Sequence, residues 1–435
     1  YNIKMTTYSD NKLKTKYLDP RVYVPNLRAA FDLDLSEAAY MPNMKLGFVG
    51  VTLASGAHAY NRLLGAAAII RNIRLMDGKQ VLSQLNEAQF YKGFLNQKRH
   101  NSEAEAYSSN QEKNSIGLSI SGETNTVARI APVAFAAVNP LGSAANETTA
   151  ATLDLMEYFP LLKKMHDQDA HLPTSVFKNL RVVIEYNTNK TNQIVYDTTN
   201  ELTSLRPILI VDALTDPVMV NEMNKNLQPI AWSEVEHDQF IIPQAATLDD
   251  SDGVNQALTV KLNGFNNKTV NELLIVKELS NASLLVDGSN NIVGFGKWAS
   301  QSCYDQVVQF RVNGRNILPR QGLTGDNERL ATVVDTYGEI AAYPGSNYYQ
   351  TKNADSIMRN GLALSGQADY IGIYLGKQIS DLQVNYNRTH VKDGVAGARA
   401  TNATLIGHVY AAVEKQLVYL QNDLFQVEYI QSGDM

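Results

Sequence analysis

Short strand-like runs divided by polar turns fill most of this sequence, and few long helical stretches separate them. In the first half such runs fall at residues 22–24, 46–53, 70–75, 180–186 and 205–212. In the second they fall at 230–242, 256–262, 270–279, 307–318, 380–386, 408–413 and 417–429. A parallel sheet would need a crossover helix of about ten or more residues between most of its strands. Those helices are missing, so antiparallel packing is left. The expected class is all-β, two tandem antiparallel jelly-roll β-sandwiches with short helices in loops. At 435 residues the chain is too long for one ordinary core, and its 44% hydrophobic content suits two of about 200 residues each.

One pattern occurs twice. Residues 70–75 read as a strand stopped by a turn at Asp77-Gly78, then a helix carrying Val81, Leu85, Ala88, Tyr91 and Leu95 along one stripe. Residues 307–319 repeat the strand and turn, with Asn313-Gly314 in place of Asp77-Gly78. A strong strand over 180–186 follows the first turn by about a hundred residues, and a similar one at 382–387 follows the second by about seventy. The difference is close to the length of the polar stretch 99–126, which reads as an exposed excursion. A duplicated β-domain with one enlarged loop accounts for both spacings.

The expected division is an N-terminal arm over 1–20, a first jelly roll over 21–216, a linker over 217–229 flanked by Pro217 and Pro229, a second jelly roll over 230–430, and a tail over 431–435. Short helices are expected at 57–64, at 158–165 with Pro160 in the first turn, and near 328–336. Pro207, inside a strand run, should sit at an edge or near the strand start.

The search for chemistry finds little. Net charge is −6, so no global basic field draws nucleic acid; the arm has Lys4, Lys12, Lys14 and Lys16 against Asp10. Cys303 is the only cysteine, which rules out an intramolecular disulfide and suits a reducing compartment. The longest apolar run, 63–70, is far short of the ~20 residues of a membrane helix. Ser175 and Lys178 have the Ser-x-x-Lys spacing without the partner motifs that spacing needs for catalysis. Gly294-Phe295-Gly296-Lys297-Trp298 lacks the spacing of a phosphate loop. In Asp249-Asp250-Ser251-Asp252-Gly253, counting back from the glycine puts Leu248 where a calcium loop needs its first carboxylate. His166 and His171, five apart, read as polar residues at a helix end. Asn-x-Ser/Thr sequons at Asn146, Asn189, Asn267, Asn281, Asn387 and Asn402 are as many as an Asn-rich chain gives by chance. No catalytic, cofactor-binding or metal-binding residue is assigned, and the expectation is a protein that is not an enzyme.

The ordered set Asn72-Ile73-Arg74-Leu75 with Asp77-Gly78 and Gln84-Leu85, then residues 179–186, then 205–212, resembles the first jelly roll of double jelly-roll major capsid proteins. Residues 310–319 and 381–389 resemble the second. The similarity is to the polinton-like virus and virophage type, within the tailless icosahedral double-stranded DNA virus lineage. It implies a homotrimer forming a pseudo-hexagonal capsomer, lateral contacts between capsomers, penton and minor capsid proteins as partners, and a location in the virion after assembly in the host cell. It also places the arm and tail towards the inner face, near membrane or genome, without specific nucleic-acid recognition. The alternative is a tandem jelly-roll carbohydrate-binding or adhesin-like protein, which would need an exposed aromatic platform at Trp232 or Trp298 or a calcium loop. Tyrosine-rich 343–349 would suit either an interface or a packed loop.

Overall fold

The computed structural model describes residues 13–25, 27–33, 39–53, 70–99, 151–187, 202–225, 227–243, 254–279, 305–319, 322–323, 326–338, 370–390, 405–420 and 424–430. The expected helix at 57–64, most of the excursion 99–126, the acidic run 249–253, the glycine run 294–298, Cys303 and the tyrosines of 343–349 lie outside them.

In chain order the first half contains β1 (Leu13–Leu18), β2 (Val22–Val24), β3 (Arg28–Leu33), β4 (Ala39–Tyr40), β5 (Lys45–Leu53), β6 (Ile70–Asp77), β7 (Gln80–Leu85), α1 (Ala88–Arg99), β8 (Ala151–Asp154), α2 (Pro160–Asp167), β9 (Leu172–Pro173), β10 (Leu180–Tyr186) and β11 (Leu202–Leu214). Helix α3 (Pro217–Asn224) leads into β12 (Ile230–Ile242), β13 (Val254–Lys261), β14 (Lys268–Leu279), β15 (Asp305–Val312), β16 (Arg315–Asn316), α4 (Asp326–Tyr337), β17 (Ile371–Ile379), β18 (Leu382–His390), β19 (Leu405–Leu420) and β20 (Leu424–Tyr429).

Pairing is antiparallel throughout the described sheets. The first half forms a sheet β1-β11-β5-β8 and a sheet β3-β10-β6-β7; the second forms β12-β19-β14-β17 and β13-β18-β15-β16. Numbering eight strands in each half, both give the orders first-eighth-third-sixth and second-seventh-fourth-fifth. Strands β2, β4, β9 and β20 are short additions. Identical order across eight strands is far stronger support for duplication than the paired sequence marks. The sheets form because their strands alternate: in β10, Leu180, Val182, Ile184 and Tyr186 are buried while Arg181, Val183 and Glu185 are less so.

Both marks lie at the hairpin between the fourth and fifth strands, one residue out of step: Asp77 ends β6 and pairs with Leu180, while Asn313 follows Val312, which pairs with Leu382. Gly78 has φ +58°, and Asn313 and Gly314 have φ +50° and +78°, the left-handed conformations that a tight hairpin needs. Each turn is tied to the residues leading into the seventh strand, and the second turn also to the end of the sixth. Asp77 accepts from Asn179 N at 2.6 Å, and Asn313 Oδ1 accepts from Ser380 N at 2.7 Å while its Nδ2 donates to Gln378 O at 2.9 Å. Asn313→Ala removes those bonds and leaves a strained φ, so it should cost about 1–2 kcal/mol in chemical denaturation. Asn313→Asp, which keeps the acceptor oxygen, should keep most of that stability.

Several expectations are corrected. Val81 and Leu85 are not on a helix: 80–85 is a strand, paired as Arg74↔Gln84 and Ile73↔Leu85, and the helix starts only at Ala88. Apolar residues at 81, 82 and 85 imitate helical spacing, but the two-residue turn closes the hairpin first. Leu13–Leu18, expected within an irregular arm, is a strand paired to β11 from Leu13↔Leu214 to Leu18↔Leu209. Within 217–229, α3 has Pro217 in its first turn and Asp216 as its cap, accepting from Val218 N at 3.0 Å. Pro207 lies in β11 beyond the end of its pairing with β1, so its missing donor costs no ladder bond on that side.

Candidate functional site at the seam between the halves

One continuous apolar core runs through both halves. Several groups of contacts join them, among them α2 packed on β12. At one end Phe177, just before β10, meets Phe425 of β20 with ring centroids 4.7 Å apart. In the middle, the Glu234 carboxylate of β12 accepts from Ser83 Oγ at 3.0 Å, Gln84 N at 3.1 Å and Trp232 Nε1 at 2.7 Å. At the other end α1 lies on the second half. There Phe90 stacks on His408 at 4.1 Å, Phe94 packs edge-on against Tyr370 at 4.9 Å and Tyr337 at 5.0 Å, and Tyr410 Oη donates to Glu87 O at 2.6 Å.

Strand β7 and helix α1 of the first half therefore lie against β12, β19 and α4 of the second. Helix α1 is held to its own half by an ion pair between Lys92 and Glu157, with Lys92 Nζ also 5.2 Å from the Tyr158 ring centre. Its start is fixed by Asn72, which accepts from Glu87 N at 2.9 Å, and by Arg71 Nε on Glu87 at 2.6 Å. Phe90 and Phe94, one turn apart, therefore project from a fixed base into the neighbouring sheet.

Electrostatics follow from burial. Glu234 is fully buried, and desolvation holds its carboxyl above the usual range against the pull of Lys415 and its three donors. Burial would also raise Glu236, but Lys415 at 2.9 Å and Lys268 at 2.6 Å, with Tyr429 Oη donating at 2.8 Å, hold it below that range. These contacts fasten β20 to the second half. His237 Nε2 lies 3.0 Å from His408 Nδ1, and burial, then His408 and Arg71, push His237 down to about 3.

The residues singled out in the sequence are not gathered into a site. Ser175 Oγ accepts from Asn224 Nδ2 at 3.0 Å, while Lys178 is exposed to solvent. His166 is exposed and His171 buried, with burial lowering His171. Trp232 is only 3% exposed, so it offers no platform for a sugar. Among the described residues no group of three or more His, Cys, Asp or Glu could hold a metal, and no helix is long and apolar enough to cross a membrane. The sequence reading missed the seam, although β12 carried a signal: Glu234 and Glu236 interrupt the alternation of Ile230, Trp232, Phe240 and Ile242 at positions meant for burial.

No protein-family description matches the chain, and no curated protein sequence does. Solved structures match along nearly its whole length. The VP54 protein of PBCV-1, fitted into a reconstruction of the virophage Sputnik, is similar with a TM-score of 0.59 and 10% identity over 96% of this chain and 97% of that one. The mavirus major capsid protein gives 0.54 and 10% over 99% and 93%. The chain has the double jelly-roll fold. A chain of the Sputnik virophage structure gives 0.55 and 11% over 96% and 88%. At such identities the double jelly roll shared with these viral proteins is a likeness of architecture, carried by strand order and packing rather than by side-chain identity.

Proposed function

We propose that this double jelly-roll chain is a major capsid protein that forms homotrimeric, pseudo-hexagonal capsomers of an icosahedral viral shell. The observation that carries the reading is the pair of equivalent eight-strand sandwiches, matched over nearly the whole chain by VP54 and the mavirus capsid protein. Two similar sandwiches per chain give six similar units in a threefold trimer, which is how a trimer fills a hexagonal lattice. The division follows the strands: a first unit ending at 216, a linker over 217–229 and a second unit over 230–430. A shell subunit works through broad lateral surfaces and a rigid shape, and catalysis has no part in this role. Its place is the virion, its partners are other copies of itself and the penton and minor proteins that close a shell, and the basic start of the chain faces inward.

Static light scattering of the purified chain over a range of salt and pH should give a mass of three chains. A monomer under every condition would overturn the reading.

A further inference from the structure

We infer that the outer face of the β1-β11-β5-β8 sheet receives the β16–α4 side of a neighbouring copy, so that chains join head to tail. The inference rests on the capsomer reading above and names the surface through which its copies meet. Its template lies inside the chain. There two unlike surfaces meet: the fifth strand of the first half with the helix after it, β7 and α1, and the outer face of the β12-β19-β14-β17 sheet, where Phe90 covers His408 and Tyr91 lies 5.2 Å from Tyr410. Both halves share one strand order, so each owns both kinds of surface. Helix α4 follows β16 as α1 follows β7. One face of α4, with Val333 and Tyr337, is taken up by Gly372 and Phe94, and the opposite face, with Glu328, Ala331 and Asp335, is exposed. Unlike surfaces of this kind, one at each end of a chain, form a ring when their rotation closes.

The sheet face is suited to contact. Along β11, Leu209, Val211 and Ala213 are buried in the core, so alternation turns Ile208 and Ile210 outward, where both are half-buried. Tyr17 of β1 pairs with Ile210 and is 68% exposed. Gly47 of β5 pairs with Ile208, and a methyl there would stand 3.5 Å from Ile208 and 3.6 Å from Ile210, so at Gly47 no side chain covers the two isoleucines. Helix α3 covers the far end of β11, where Val220 packs with Leu214 and Ala39. A largely exposed tyrosine beside two part-exposed isoleucines has the composition of an interface core.

Charge selects the partner surface. Lys45, across Ile210 from Tyr17, is exposed, while Asp212 on the same face accepts from Thr15 Oγ1 at 2.6 Å and Asn43 Nδ2 at 2.8 Å. The free face of α4 offers Glu328 and Asp335 to that lysine. Residues 1–216 hold 22 Lys and Arg against 21 Asp and Glu, and 217–435 hold 16 against 23, so the second unit carries seven excess negative charges. Contact between two second units would set those charges against each other, and contact between a first and a second unit does not.

The test uses the full chain with a benzophenone amino acid in place of Tyr17, irradiated as a mixture of isotopically light and heavy copies so that links between copies are told from links within one. Static light scattering should give a mass of three chains, and the light–heavy cross-links should join position 17 to residues 315–338. Tyr17→Asp should keep the far-ultraviolet spectrum, because the ring lies mostly in solvent, and should scatter as one chain. A three-chain mass with cross-links elsewhere on the neighbour, or with none, overturns this surface and leaves the capsomer reading in place, and the cross-links decide even where the variant does not fold. A folded Tyr17→Asp that keeps the three-chain mass overturns the surface as well. A one-chain mass of the unsubstituted protein overturns both.

Discussion

Phe94→Ala should destabilise the chain by about 3–5 kcal/mol in denaturant unfolding, among the largest effects of any single substitution. Phe94 is 1% exposed and is the point where α1 meets Tyr370 and Tyr337 of the second half. Truncation removes an aromatic ring from between two T-shaped contacts and leaves a cavity that the fixed base of α1, pinned by Lys92 and Glu157, keeps the helix from closing. Phe94→Leu, which keeps most of the volume, should cost less than half as much. If Phe94→Ala cost under 1 kcal/mol, α1 would not be part of the shared core.

Glu234→Ala should cost about 3–5 kcal/mol. The loss is not that of an attraction but of an acceptor: the buried Ser83 Oγ and Trp232 Nε1 and the part-buried Gln84 N would all lose the oxygen they donate to. Glu234→Gln keeps one acceptor oxygen and should recover part of the loss. Trp232 fluorescence reports the same site directly, because its ring is buried beside the carboxylate. Whether the buried acid also sets the register between the two halves is testable in the same variant, where the Phe177–Phe425 and Phe94–Tyr370 contacts should persist if apolar packing alone places them.

What the sequence made legible was local. The strand over 180–186 and the helix near 328–336 were readable because their apolar residues keep a clean period, and Asp77-Gly78 and Asn313-Gly314 because a tight hairpin needs residues that accept positive φ. The run 80–85 misled because three apolar residues in six fit either period. Leu13–Leu18 was obscured by its lysines, since an edge strand with most of its residues exposed carries no alternation to read. The seam was not legible at all. Its members come from β7, α1, α4, β12, β19, β20 and the residues just before β10 and β17, and no spacing in the chain records that Ser83 meets Glu234 or that Phe90 covers His408.

We propose that one chain supplies two equivalent sandwiches and that three chains make a hexagonal unit. Electron microscopy of the purified chain tests it most directly. Class averages viewed down the threefold axis should show pseudo-hexagonal particles with six similar lobes, and single two-lobed particles at every salt and pH would contradict it.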